Sequence, residues 1–278
     1  MTVTVGQALQ AGTNVLRRAG VPDAASDARR LMAHALGVRP DRLTLILSER
    51  LPPHADDLFR LHVEERAHRK PVSQITGTRL FWGREFLVTP DVLDPRPETE
   101  TLVAEALAGS FSRVLDLGTG SGCILATLLK ERPDATGLGV DLSNEALHVA
   151  RRNARRLGVS ERACLVQGDW LGPVTGTYDL IVSNPPYVAA AEMDSLDPEV
   201  RLHEPRLALT DEGDGLSAYR TILRDAPAHL APEGRVIVEV GATQAESVLA
   251  IGRAAGLARA ETRPDLDGRA RVCLFRRP

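Results

Sequence analysis

Val114-Leu115-Asp116-Leu117-Gly118-Thr119-Gly120-Ser121-Gly122-Cys123 reads as a short apolar strand that runs into a glycine-rich turn and then opens a helix. Strand, turn and helix in that order begin a βαβ unit, and the rest of the chain repeats the alternation. Further candidate strands lie at residues 137–140, 163–166, 180–183, 235–240, 258–262 and 271–275, with helices between them such as 144–157 and 215–230. This alternation predicts an α/β fold: seven strands, mostly parallel, covered by helices on both faces. Only residues 264–269 separate the last two strands, too few for a helical crossover, so that pair is expected to be antiparallel.

The glycine spacing narrows the ligand. In open α/β sheets ligands bind at the carboxyl ends of strands, where glycine lets the backbone come close. A dinucleotide fingerprint needs a third glycine three positions after the second, and Cys123 stands there instead. The pattern Gly118, Gly120, Gly122 favours S-adenosylmethionine over NAD. Asp141 follows the next strand, where a carboxylate can accept from two ribose hydroxyls; it could equally cap the helix from Asn144. After the third strand come Asp169, an acceptor for an adenine amino group unless it is a simple turn residue, and Trp170, whose indole can pack on the base.

The fourth strand ends in Asn184-Pro185-Pro186-Tyr187. These residues offer an amide carbonyl, a backbone carbonyl whose direction proline restricts, and an aromatic ring. That set suits gripping a planar NH2 group. An amide nitrogen is a poor nucleophile because its lone pair is conjugated with the carbonyl, a conjugation reflected in the ~18–20 kcal/mol peptide rotation barrier. A base helps little with so weak an acid. Acceptors for both hydrogens, from Asn184 and Pro185, can orient the nitrogen and stabilise its growing positive charge, with Tyr187 stacked on the plane.

Ahead of the sheet, residues 5–70 read as a small helical bundle. One helix from Val5 stops before Gly20, a second capped by Asp23 ends at Gly37, and others cover about 40–48 and 54–69. Residues 71–94, with Gly77, Gly83 and the aromatics Phe81, Trp82 and Phe86, suggest a β-hairpin connector, and residues 95–278 form the catalytic domain. A net charge of −3 with 26% charged residues gives no broad basic surface for nucleic acid. Cys123, Cys164 and Cys273 have no metal-ligand spacing, so no metal is expected and a reducing cytoplasm fits best. No apolar run approaches the ~20 residues of a membrane span.

At these motifs the chain resembles the class I methyltransferases and, more narrowly, the HemK-like peptide chain release factor glutamine methyltransferases. The resemblance covers Pro71 to Gly77, Phe81-Trp82, Pro95-Arg96-Pro97-Glu98-Thr99-Glu100, Asp116 to Gly122, Asn184 to Tyr187, Glu204 to Leu209 and Asp214-Gly215-Leu216. It implies a Rossmann-like methyltransferase sheet and methyl transfer to N5 of the glutamine in the Gly-Gly-Gln loop of a release factor. It implies that Gly118, Thr119, Gly120, Ser121, Gly122, Asp141, Asp169, Trp170 and Asn184 hold S-adenosylmethionine. Asn184, Pro185, Pro186 and Tyr187 would hold the substrate, and the helical domain would help dock the release factor to a monomeric enzyme. Asp94 departs from the family, which usually has an apolar residue there. The competing expectations are an adenine or guanine amino-methyltransferase acting on nucleic acid, and a cofactor-binding protein without catalysis.

Overall fold

In the computed structural model, which describes residues 3–277, the first helix is α1 (Val5–Arg18). A capping box opens it: Gln7 N donates to Thr4 Oγ1 at 3.2 Å and Thr4 N donates to Gln7 Oε1 at 3.0 Å, which satisfies two amides that a helix start leaves unpaired. Helices α2 (Ala24–Ala35), α3 (Pro53–Ala67) and the short α4 (Val72–Thr76) follow. Asp23 stands at the cap position of α2, but its side chain makes no capping hydrogen bond. The helix expected over 40–48 is only a 3₁₀ turn, Leu43–Ile46. Leu43 alone is buried there, so no apolar stripe draws the segment into a longer helix.

These helices pack around Leu16, Leu31, Met32, Leu43 and Phe59. The compact unit they form takes in the described residues up to Thr78 and also Asp197–His203, a segment from far along the chain. A buried ion cluster joins the two pieces. Arg66, 6% exposed, donates through Nε to Asp27 Oδ2 and through Nη2 to Glu199 Oε1, both at 2.8 Å, and Arg69 Nη2 reaches Glu199 Oε2 at 2.8 Å. Burial pushes the Glu199 carboxyl up, but hydrogen bonds from the two arginines outweigh it and hold the group below its usual value.

The second unit holds Arg79–Leu196 and the chain from Glu204 onward. It starts within a hairpin, β1 (Thr78–Phe81), whose first residue belongs to the first unit, and β2 (Arg84–Leu87), in which Phe81 and Phe86 meet edge to face at 5.9 Å. Next come α5 (Thr99–Leu107), β3 (Arg113–Leu117), α6 (Cys123–Glu131), β4 (Thr136–Asp141), α7 (Asn144–Arg156), β5 (Ala163–Gln167) and β6 (Tyr178–Ser183). The short α8 (Pro198–His203) is the segment that belongs to the first unit. The chain closes with α9 (Ser217–Asp225), β7 (Leu230–Glu239), α10 (Ala245–Ala254), β8 (Ala258–Pro264) and β9 (Ala270–Arg276). Helix α9 is shorter than the 215–230 expected; Pro227 interrupts it, and a 3₁₀ turn over Ala226–His229 carries the chain into β7.

Strands β3 to β9 form one sheet in the order β5-β4-β3-β6-β7-β9-β8. All neighbours are parallel except β9, which runs antiparallel to both β7 and β8, as the short final connection required. Alternate residues of β3 and β6 feed two cores: Val114, Leu180 and Val182 enter one, and Leu115, Leu117 and Ile181 the other. The strand order reverses between β3 and β6, and a ligand crevice is expected at their carboxyl ends. Among the described residues no helix is long and apolar enough to cross a membrane.

Candidate active site

The glycine loop leaves β3 with Gly118, Gly120 and Gly122 all at positive φ, 68°, 54° and 75°, a course closed to most other residues. Gly118 N and Thr119 N both donate to Val140 O, at 2.9 and 3.0 Å, which ties the loop to the end of β4. Asp141 continues the tie, accepting from Gly120 N at 2.8 Å and from Ser143 N at 2.9 Å. Burial raises its carboxyl, and the bonds from Ser143 and Gly120 oppose that rise. The capping role open to Asp141 falls instead to Ser143, whose Oγ accepts from Ala146 N at 3.1 Å at the start of α7.

One residue below the loop, Asp116 is fully buried. Its Oδ2 accepts from Thr119 Oγ1 at 2.7 Å while Oδ1 has no partner. Burial pushes this carboxyl up to about 7.

These residues border a cavity of about 620 Å³, within the range of small-molecule sites. Gly118 to Ser121 and Asp141 line one side, Asp169 and Trp170 another, and Asn184, Pro186 and Thr99 face in from β6 and α5. Trp170 adopts φ 45°, a sparsely populated conformation for a bulky residue. Gly122, Pro185 and Tyr187 lie outside the cavity wall. Gly122 packs on α7 instead, where an added Cβ would meet Ala150 Cβ at 3.1 Å.

The turn after β6 is pinned at both ends. Ser183 Oγ donates to Leu117 O at 2.7 Å, fixing the end of β6 to the end of β3. Asn184 Nδ2 donates to Thr99 Oγ1 at 3.2 Å, and Asn184 Oδ1 is buried without a partner. Beyond the prolines, Gln244 Nε2 donates to Tyr187 O at 2.8 Å. Gly215, at φ 73°, passes so close that an added Cβ would clash with Tyr187 O, which accounts for glycine in Asp214-Gly215-Leu216. The Tyr187 hydroxyl is pushed up to about 12, chiefly by burial and then by the nearby Glu239 charge, so it stays neutral near pH 7.

Two distant motifs meet beside the cavity. Arg96 Nη2 donates to both oxygens of Glu204, at 2.8 and 2.7 Å, and Asp94, 5% exposed, lies 3.8 Å from Arg79 Nη1. The Asp94 departure is therefore accommodated by a cation from the hairpin. Three residues escaped the sequence reading: Thr99 and Asp116, which lie inside recognised motifs without an assigned role, and Glu239. A carboxylate closing the apolar run Val236-Ile237-Val238 was the available signal for Glu239. Among the described residues no cluster of His, Cys, Asp or Glu could hold a metal ion.

The donor set fits an adenosyl group. Asp141 keeps acceptor capacity beside the loop, Asp169 stands further along, and Trp170 supplies an apolar face. Residues 97–214 match the methyltransferase small domain and residues 7–77 the PrmC N-terminal domain. The chain is 56% identical to a release factor glutamine methyltransferase of Cereibacter sphaeroides, covering 98% of each chain. It is 44% identical to one from Rhodospirillum rubrum, over 99% of this chain and 86% of that protein. A methyltransferase structure from Pyrococcus furiosus superposes with a TM-score of 0.55 at 18% identity, over 77% of this chain and 98% of that one; it speaks to the fold alone.

Proposed function

The chain belongs to the release factor glutamine methyltransferase family, and from that premise we propose that it moves a methyl group from S-adenosylmethionine to N5 of a glutamine in the Gly-Gly-Gln segment of a peptide chain release factor. The observation that carries this reading is the buried, unpartnered Asn184 carbonyl. An unmade hydrogen bond in the interior costs about 1–3 kcal/mol, and a substrate NH2 would relieve that cost. S-adenosylmethionine, when bound, supplies a methyl group on a positively charged sulphur. Asp141, Asp169 and Trp170 would hold its ribose and base. Asn184 Oδ1 would accept one amide hydrogen and the Pro185 carbonyl the other, while Tyr187 covers the amide plane; since neither Pro185 nor Tyr187 lines the cavity, these two roles require the substrate amide to reach past the cavity wall. As the nitrogen gains positive charge both acceptors bind more strongly, so they act on the transition state more than on the ground state. Holding nitrogen and methyl in line contributes the remainder, up to roughly 7–11 kcal/mol in favourable cases. In this reading the enzyme is cytoplasmic and monomeric, and its helical unit docks the release factor.

The test is to supply methyl-labelled S-adenosylmethionine with unmodified release factor or with nucleic acid, and to locate the label by mass spectrometry. Label on the glutamine is expected; label on nucleic acid alone would overturn the reading. Asn184→Ala should lower kcat at least about 100-fold, the scale of losing one transition-state donor or acceptor. Its cofactor affinity by calorimetry should stay within a few-fold, and unchanged turnover would remove Asn184 from its role.

A further inference from the structure

The two prolines of Asn184-Pro185-Pro186-Tyr187 carry no N–H, so neither can tie the turn down by donating. The turn is held at its two ends instead. Asn184 is tied to Thr99, and at the other end the Tyr187 carbonyl accepts from Gln244 Nε2 at 2.8 Å. Beyond it Val188 N and Ala190 N donate to Leu209 O and Gly213 O, both at 2.9 Å. The Pro185 carbonyl and the Tyr187 ring therefore belong to a stretch suspended between Asn184 and Gln244.

Gln244 stands at the start of α10, yet its side chain makes no hydrogen bond that caps the helix. Its amide reaches three other backbone groups. Oε1 accepts from Gly241 N at 3.2 Å, and Nε2 donates to Tyr187 O and, at 3.4 Å, to Gly215 O. An N–H can only donate and a carbonyl can only accept, so these partners leave the amide one orientation. They lie after β7, after β6 and before α9, so a single side chain joins three connections. Both glycines make room for it. An added Cβ would come 2.8 Å from Gln244 Oε1 at Gly241 and 3.0 Å from Gln244 Nε2 at Gly215. At Gly241 it would also stand 3.4 Å from Tyr187 Cδ2, so the ring rests against that glycine.

We propose that Gln244 is a positioning residue for methyl transfer: it clamps the Tyr187 carbonyl and so fixes the Pro185 carbonyl and the Tyr187 ring where they hold the substrate NH2 group. Gln244 does not line the cavity and acts only through the backbone it holds. The role rests on the proposed glutamine methylation for its rate measurements, and on the Gln244 amide alone for its exchange measurement.

Gln244→Met keeps the length and removes both ends of the clamp. It should lower kcat about tenfold, the scale of one net hydrogen bond, with KM for the release factor within about twofold. Wild-type kcat would overturn the proposal. Gln244→Glu keeps the shape and the acceptor for Gly241 N, so it decides the matter if Gln244→Met does not fold. Ionised, it sets a charged oxygen against the Tyr187 and Gly215 carbonyls; protonated, it can donate to Tyr187 O. Facing two acceptors raises such a carboxyl above the ~4.3 of a free glutamate. At about pH 8 its kcat should be about tenfold or more below wild type, and the ratio to wild type should climb several-fold by about pH 5.5. Asp211, which accepts from Gly215 N at 2.9 Å, and Glu239, whose charge lies near Tyr187, are present in both proteins, so the ratio removes their own titration. A ratio that does not change with pH marks a merely structural loss and would overturn the proposal.

If the wild-type enzyme transfers no methyl group to the release factor, the functional reading fails, and the clamp is judged by hydrogen exchange in 15N NMR. The Gln244 side-chain amide should exchange more slowly than that of the exposed Gln10. The Gly241 N–H should exchange slowly in wild type and Gln244→Glu but fast in Gln244→Met. Exchange of Gln244 as fast as that of Gln10, or unchanged Gly241 exchange in Gln244→Met, would sink the clamp.

Discussion

Asp116 lies one residue before the end of β3 and Asp141 ends the neighbouring β4; burial raises both carboxyls, but the hydrogen bonds that oppose it differ. Asp141 has two backbone donors, whereas Asp116 has one hydroxyl and no exposure. Its folded-state value of about 7 lies well above the ~3.9 of an unfolded chain. The folded protein therefore holds a proton that the unfolded chain releases. The stability this contributes is fully present below about pH 4 and is lost as pH rises toward 7. Asp116→Asn, which cannot titrate, should gain relative to wild type between about pH 5 and pH 8, and urea midpoints at the two pH values measure the difference. Asn184 and Asp141 were legible in the sequence because each stands immediately after a recognisable strand. Thr99 was not, because its hydrogen bond to Asn184 spans 85 positions and nothing local in either segment announces it.

At the scale of elements, hydrophobic pattern and turn residues revealed the strands and their alternation with helices. Their ends were harder to read. Strand β7 starts at Leu230 rather than at residue 235, since Pro232 and Gly234 break the apolar pattern there while parallel pairing with β6 begins at Tyr178. The order of strands in the sheet was invisible as well, because it is set by which helix faces find room on which side. Helix α10 illustrates how tight that room is: a Cβ on Gly252 would sit 2.2 Å from Cε1 of the fully buried Phe275 on β9. Gly252→Ala should therefore destabilise by about 1–3 kcal/mol despite alanine's better helix propensity, read as a lower urea midpoint with unchanged slope. A neutral or stabilising effect would mean the ring has somewhere to go.

At the scale of the whole molecule, the residues of α8 gave no sign in sequence that they belong with helices more than a hundred positions earlier. A six-residue segment carries too little apolar surface to declare its partners, and Glu199 reads as one more surface carboxylate until Arg66 is seen against it. Arg66→Met should cost about 3–5 kcal/mol, since it leaves the buried Asp27 carboxylate without its cation and Glu199 with Arg69 alone; thermal unfolding of the purified variant is the measurement. The cluster also imposes an order on synthesis. The first 78 residues leave the ribosome early, but the unit they belong to is completed by residues 197–203, which arrive on the order of ten seconds later at typical elongation speeds. Until then Arg66 has lost one of its two carboxylate partners. The nascent helical unit should therefore reach its final stability only after most of the sheet has already been translated.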